Sequence, residues 1–407
     1  MISSLFILCG LWAIFQIWFA EGGGLGLTNL NNTFVFGLWI ICDLSLIALG
    51  SGAFCTALLY YLFKQAHLKP LLPLSVALGL LCYGCAGYIL LLEIGQPLRF
   101  WFPFAHPNFV SMLTEITFCI TIYSVVLLLE FLPVLFSHKQ LRSLPAAFSL
   151  RQKLLLALPA LALAGTLLSL MHQGSLGGVY GALFARPFAF RPGLGIWPWT
   201  FVLFIVSAMS AGPLFVSLVA MLIEKLSGEK IMDERSSSSL AKFAVLMLGL
   251  SLVLRVADLL IWANLLLPEQ GLSFSGMFHG LAYGEWLIWT ELLPLTLLPL
   301  ILLAVPGLRA KPVFFSLAGL LACAGLVLNR YITNMLTLAV PTLPPAVVSE
   351  KWELYWPNFI EIAPALMALG IFVLGLYFLY KQRLLTPDQN LKPPIKKDCL
   401  ISDASSQ

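Results

Sequence analysis

Charge is what this sequence has least of. Of 407 residues, 23 are Lys or Arg and 19 are Asp or Glu, which makes 10% charged. A soluble globular protein carries about 25%. Apolar residues make up 60% of the chain and its mean hydropathy is +0.93. No water-soluble fold of this size hides so much apolar surface, because surface-to-volume scaling leaves much of any chain exposed. The shortage of charge excludes a soluble enzyme, a disordered chain and a nucleic-acid-binding domain. The expected solvent is the lipid bilayer.

Histidine is also scarce. The five are His67, His106, His138, His172 and His279. A membrane cytochrome b needs His pairs facing each other across spans, and no two of these share a helix face, so no haem is expected. Clustered Cys for an Fe–S centre is missing as well. The eight Cys mostly sit inside apolar runs, where a free thiol behaves as a small hydrophobe. Cys82-Tyr-Gly-Cys85 has C-x-x-C spacing, but it lies mid-span with no second pair to complete a metal site. Gly22-Gly-Gly24 is not a phosphate-binding loop. Any redox role therefore needs cofactors on a partner subunit. The first apolar run has no Lys or Arg before it, so it reads as a retained helix and not a signal peptide.

What the chain has in abundance is long apolar stretches. A spanning helix needs about 20 such residues. Ten can be marked, at 2–20, 34–63, 70–94, 110–136, 153–171, 198–223, 240–267, 283–305, 312–335 and 360–382. The expected fold is an all-α polytopic membrane protein, one integral membrane domain over 1–385 with a short polar tail at 386–407. Turn chemistry separates the spans: Glu21 to Gly24, Gly95-Gln96-Pro97, the Gly- and Pro-rich stretch from Gly174 to Gly195, and Pro341 to Pro345. The loops alternate in basic content. Of the 23 Lys and Arg, 17 fall on the side of the termini, 4 (Arg99, Arg186, Arg191 and Lys351) on the other, and Arg255 and Arg330 lie in spans. By the positive-inside rule both termini are cytoplasmic.

An ionisable group inside a span is costly and is a functional candidate by default. Nearly all of them fall in the outer half: Asp43, Glu93, Glu115, His172 at the end of the fifth span, Arg255 with Asp258 at i, i+3, Glu285, Glu291, Arg330 and Glu361. The inner half offers mainly Glu130 and Glu224. Glu93, Arg330 and Glu361, taken singly, suit helix ends that snorkel to headgroups. Transporters place substrate near the midplane. A one-sided polar pocket suits instead a lipophilic ligand that meets protons or a partner at one face.

Several local patterns resemble one family. Gly24-Leu-Gly-Leu-Thr-Asn-Leu-Asn31, leading into Phe36-Gly-Leu-Trp-Ile-Ile-Cys-Asp43, resembles the opening of the NrfD-type quinone-interacting membrane subunits, particularly the HybB branch of hydrogenase membrane subunits. Glu93-Ile-Gly-Gln-Pro-Leu-Arg-Phe-Trp101 is similar to the family's D-x-G-R-P-x-R-x-W, and Met112-Leu-Thr-Glu115 to its L-L-E element. Met171-His-Gln-Gly-Ser-Leu-Gly177 resembles its M-H-Q-S-S-L-G motif, and Trp356-Pro-Asn-Phe-Ile-Glu361 its F-P-S-x-x-E. Departures are Phe36 for Trp, Glu93 for Asp, Gln96 for Arg and Gly174 for Ser.

The resemblance implies a subunit of a respiratory oxidoreductase with no redox centre of its own. It implies menaquinone or ubiquinone as bound substrate near the outer face. It implies a ferredoxin-like [4Fe-4S] subunit docked there, with a catalytic or multihaem subunit beyond it. It also implies two four-helix bundles, spans two to five and six to nine, flanked by the first and last spans.

Quinone chemistry moves two electrons with two protons, so the ring oxygens need titratable partners. His suits this near neutral pH, and a desolvated carboxylate can also exchange a proton. His172, Asp43 and Glu115 are the expected proton-exchanging residues. Trp39, Arg99, Trp101, Gln173 and Asp258 are the expected quinone contacts. The Gly174 to Gly181 stretch is expected to shape a turn or a docking surface. Two other readings stand beside this one: a proton-coupled secondary transporter, and a membrane anchor without chemistry.

Overall fold

Long apolar runs leave the backbone no partner but itself, and in lipid that dictates helices. A computed structural model describes residues 2–184, 186–194, 197–277, 284–339 and 355–385. Among them ten helices are long and apolar enough to cross a bilayer: α1 Ile2–Phe19, α2 Leu38–Tyr61, α3 Ala66–Glu93, α4 Met112–Leu135, α5 Pro145–Gly181, α6 Thr200–Ser227, α7 Glu234–Glu269, α8 Gly284–Ala304, α9 Pro312–Ala339 and α10 Phe359–Lys381. A two-residue hairpin, β1 Gly193–Leu194 against β2 Trp197–Pro198, is the one sheet among the described residues. The fold is an all-α multi-pass membrane protein, as expected. The tail at 386–407, His279, Lys351 and the Pro341–Pro345 break lie outside the described residues.

α2 to α5 pack together, as do α6 to α9, and α1 lies along α10, which rests on α3. The two bundles meet where α6 touches α2 and α5, and where α9 touches α2. At the first of these contacts α2 breaks at Ser51, whose hydroxyl donates to the Ala208 carbonyl at 2.8 Å. A Cβ on Gly52 would come within 2.9 Å of the Gly212 carbonyl carbon. Small residues thus bring two backbones together, the usual device for helix association without a hydrophobic driving force.

The fifth span is the main departure from expectation. It runs not to 171 but to Gly181, without a turn in the glycine-rich stretch. Glycine costs about 1 kcal/mol relative to Ala in a water-exposed helix. Here the alternative is an unsatisfied backbone in lipid, and the glycines have a use. Gly174 lies against the Phe201 ring, and Gly177 against Phe204 and the Thr200 carbonyl, so α6 packs closely on α5. Single π-helical turns also interrupt α7 at Trp262–Leu266 and α8 at Leu293–Leu297.

Candidate buried polar site at one end of the bundle

His172 does not end its helix. It stands nine residues inside α5, fully buried, with neither ring nitrogen hydrogen-bonded among the described residues. Its ring packs 5.8 Å from that of Tyr83 on α3. Tyr83 is the hub here. Its hydroxyl lies 3.3 Å from Ser169 Oγ, its ring meets Tyr123 of α4 edge-on at 4.7 Å, and it stands within electrostatic reach of Asp43 and next to Gln173. Gln173 Nε2 donates to the Ile47 carbonyl at 2.9 Å, while its Oε1 accepts nothing among the described residues.

Asp43 is closer to the end of α2 than expected, because the helix begins at Leu38 and not at 34. It is 2% exposed, and its Oδ1 has no partner among the described residues. Glu93, at the end of α3, stands within electrostatic reach of Asp43 and lies beside the Gly37 backbone. Three helices, α2, α3 and α5, thus bring His172, Gln173, Tyr83, Asp43 and the half-buried Glu93 into one neighbourhood. Leaving such groups unsatisfied costs about 1–3 kcal/mol each, so each one calls for an explanation.

The other expected residues are placed elsewhere. Glu115 is half-buried on α4 with one oxygen unpartnered, and no described contact joins it to His172 or Asp43. Arg99 and Trp101 are exposed on the segment between α3 and α4. Trp39 is buried, but its indole N–H donates to the Glu361 carbonyl at 2.8 Å and ties α2 to α10. Tyr83 and Glu93 were the residues that sequence reasoning passed over as site members. Tyr83 sits within an apolar run, and only its neighbours reveal it.

Asp258 belongs to a second network in the other bundle. Arg191 grips it with Nε at 2.6 Å and Nη2 at 3.2 Å. Arg255 adds a contact at 3.3 Å and Trp199 one at 3.1 Å. Arg255 continues to Glu291 at 3.3 Å, and Glu291 accepts from Asn329 at 2.7 Å. Arg330 donates to Asn329 Oδ1, to the Phe204 carbonyl and to Ser207, with its guanidinium 3.7 Å from the Phe204 ring centroid. Arg330 therefore does not snorkel; α9 runs nine residues past it and it is fully buried. Arg191, in the segment between α5 and α6, is likewise buried, at 5% exposed. The cavity between these groups has about 40 Å³ of space, room for a few waters and not for a ring system.

Glu361 does not snorkel either. It is 1% exposed and completes a capping box with Asn358 at the start of α10. It also accepts from the Asn29 amide at 2.9 Å and from the Tyr355 hydroxyl. Asn29 donates to the Trp356 carbonyl. Burial first, and then the bond to Glu361, push the Tyr355 phenol well above its usual pKa, so it stays a donor. The first and last motifs of the chain thus clamp each other.

An opening of about 610 Å³ lies between the start of α4, the end of α5 and the β-hairpin, walled by Met112, Leu113, Val179 and Ala182. It is bordered by neither His172 nor Asp43. No group of three or more His, Cys, Asp or Glu among the described residues is arranged to hold a metal ion. The described His are separate: His67 pairs with Ser239, His138 with Gln382, and His106 packs on Phe102.

Comparison with known proteins shows the family to which the chain belongs. The chain is 42% identical over 93% of its length, and 90% of the relative, to the integral membrane subunit of a menaquinone reductase from Nitratidesulfovibrio vulgaris. It is 28% identical, over 79% of this chain and 78% of the relative, to a probable Ni/Fe-hydrogenase 2 b-type cytochrome subunit from Escherichia coli. It is 24% identical, over 86% of both chains, to one of the subunits of a selenate reductase from Mesobacillus selenatarsenatis. The family model described as polysulphide reductase, NrfD, matches residues 26–338, from the loop before α2 to the end of α9, and the chain belongs to that family.

Proposed function

We propose that this chain is the membrane subunit through which a respiratory oxidoreductase complex exchanges electrons and protons with quinone. The observation that carries the reading is His172: a fully buried imidazole with both nitrogens unpartnered among the described residues, beside Tyr83, which itself stands within electrostatic reach of Asp43. A quinone oxygen would accept from or donate to such a ring as two electrons and two protons are gained or lost. Asp43 and Glu93 would replenish the proton, and Glu115 would stand along the approach. Met112, Leu113 and Val179, in the opening between α4 and α5, would hold the apolar tail.

The names of the relatives support the rest. One is a menaquinone reductase subunit, and others are named for a hydrogenase and a selenate reductase. On this reading menaquinone or ubiquinone is the substrate. A ferredoxin-like [4Fe-4S] subunit docks at the His172 end, with a catalytic or multihaem subunit behind it. That end faces outward, with both termini in the cytoplasm, because 17 basic residues lie on the opposite side.

The test is quinone-linked electron transfer by the assembled complex carrying His172→Ala. Loss of a positioned acid–base group costs about 10²–10⁴ in rate, so a drop of at least a hundredfold with intact subunit assembly is expected. Unchanged turnover would reduce the subunit to an anchor. Solute-driven proton flux by the subunit alone in liposomes would favour a transporter.

A further inference from the structure

The first bundle has a second polar feature, at its other end. Arg151 lies half-buried in the first turns of α5, roughly 30 Å of helix from His172 at ~1.5 Å per residue. There a cavity of about 560 Å³ opens among α2, α3, α4 and α5, closed on one side by Leu384. Three charged side chains line it: Glu130, Lys69 and Arg151. Glu130 is 8% exposed and makes no hydrogen bond or ion pair among the described residues. Arg151 is held in place by its Nε, which donates to the Pro133 carbonyl at 3.3 Å, and its terminal nitrogens make no other hydrogen bond among the described residues. Lys69 is exposed at the rim.

The acid and the two bases share one cavity, yet no ion pair forms between them. A buried carboxylate that lines one cavity with two cations is matched by a ligand that carries both charges. The remaining walls are mostly apolar, among them Leu72, Val76, Val134, Leu155 and Leu158, with Tyr60, Tyr61 and Ser137 also lining the cavity. Neighbouring residues of α4 and α5 face lipid, with Leu128 48% and Leu156 85% exposed, so the mouth opens toward acyl chains.

We propose that this cavity binds the headgroup of a zwitterionic aminophospholipid. The ammonium pairs with Glu130, the phosphate with Lys69 and Arg151, and the first acyl methylenes lie along the leucines. A purely anionic headgroup leaves Glu130 facing a like charge. Free phosphate uses neither Glu130 nor the apolar walls.

The test is native mass spectrometry of the delipidated full-length protein. Phosphatidylethanolamine, phosphatidylglycerol and inorganic phosphate are added separately. The expected result is retention of phosphatidylethanolamine about tenfold above phosphatidylglycerol, the size of one hydrogen bond to a charged group, with no retention of phosphate. Glu130→Gln should bring the two lipids to parity, and Lys69→Ala with Arg151→Ala should lower both. Preference for phosphatidylglycerol, retention of phosphate alone, or no retention by the wild type overturns the proposal. A photoreactive phosphatidylethanolamine on the wild-type protein gives a reading that needs no variant to fold. It should label the segments around Val134 and Leu155, and labelling confined to other segments would equally overturn it.

Discussion

Arg191→Leu would leave Asp258 buried with half its donors gone. Breaking one side of a buried ion pair costs about 3–5 kcal/mol, whereas replacing both partners with apolar residues is often neutral. The single variant should therefore unfold at markedly lower temperature in detergent, and Arg191→Leu with Asp258→Leu should recover much of the loss. Equal losses for the single and double variants would refute the pairing. Tyr355 allows a test with a pH sign. Its folded-state pKa is raised, so the stability it contributes is complete below the unfolded phenol value of about 10 and declines as pH rises through the folded one. Tyr355→Phe should cost about 1–3 kcal/mol at neutral pH by stranding Glu361, and that penalty should shrink in alkaline solution. At this scale the sequence was only half legible. The ionisable positions were visible, and Arg255 with Asp258 followed from i, i+3 spacing. Whether a group was satisfied, as Glu361 and Asp258 are, or unpartnered, as His172 is, could not be read from spacing.

Helices were legible because a twenty-residue apolar run has one solution in lipid. All ten were found, and the error fell on α5, where glycine was read as punctuation. In water Gly-Ser-Leu-Gly-Gly marks a turn; between two membrane helices it marks a close approach. Gly177→Leu should separate α5 from α6, because its side chain meets Phe204 and the Thr200 carbonyl, and should cost about 1–3 kcal/mol of overpacking. Gly84, on α3, has open space where a Cβ would stand. Gly84→Ala should be neutral or gain up to about 1 kcal/mol of helix propensity. Thermal unfolding of the two variants side by side checks the contrast; similar destabilisation of both would show that glycine acts through backbone freedom and not packing.

For the molecule as a whole, the His172 neighbourhood and the Asp258 network are linked across the two bundles by the contact of Tyr180 on α5 with Asn334 on α9 at 2.8 Å. The proposed orientation places the His172 end outward. Alkaline phosphatase fused after Arg99 should be active, and fused after Lys64 inactive, since the enzyme works only outside the cytoplasm. The reverse pattern would invert the topology and with it the side on which a partner docks.

By itself the sequence determined the solvent, the number of spans and the end at which charge is spent. These follow from hydropathy, which adds up locally along the chain. Only the tertiary structure decided which of those charges are satisfied and which are free. Hydrogen-bond partners in a bundle are chosen by packing, not by nearness in sequence. Asp258 finds Arg191 across 67 residues, and Trp39 finds Glu361 across 322. Folding draws both acids into structural bonds and leaves His172, which looked like the end of a helix, in the interior with neither ring nitrogen partnered among the described residues.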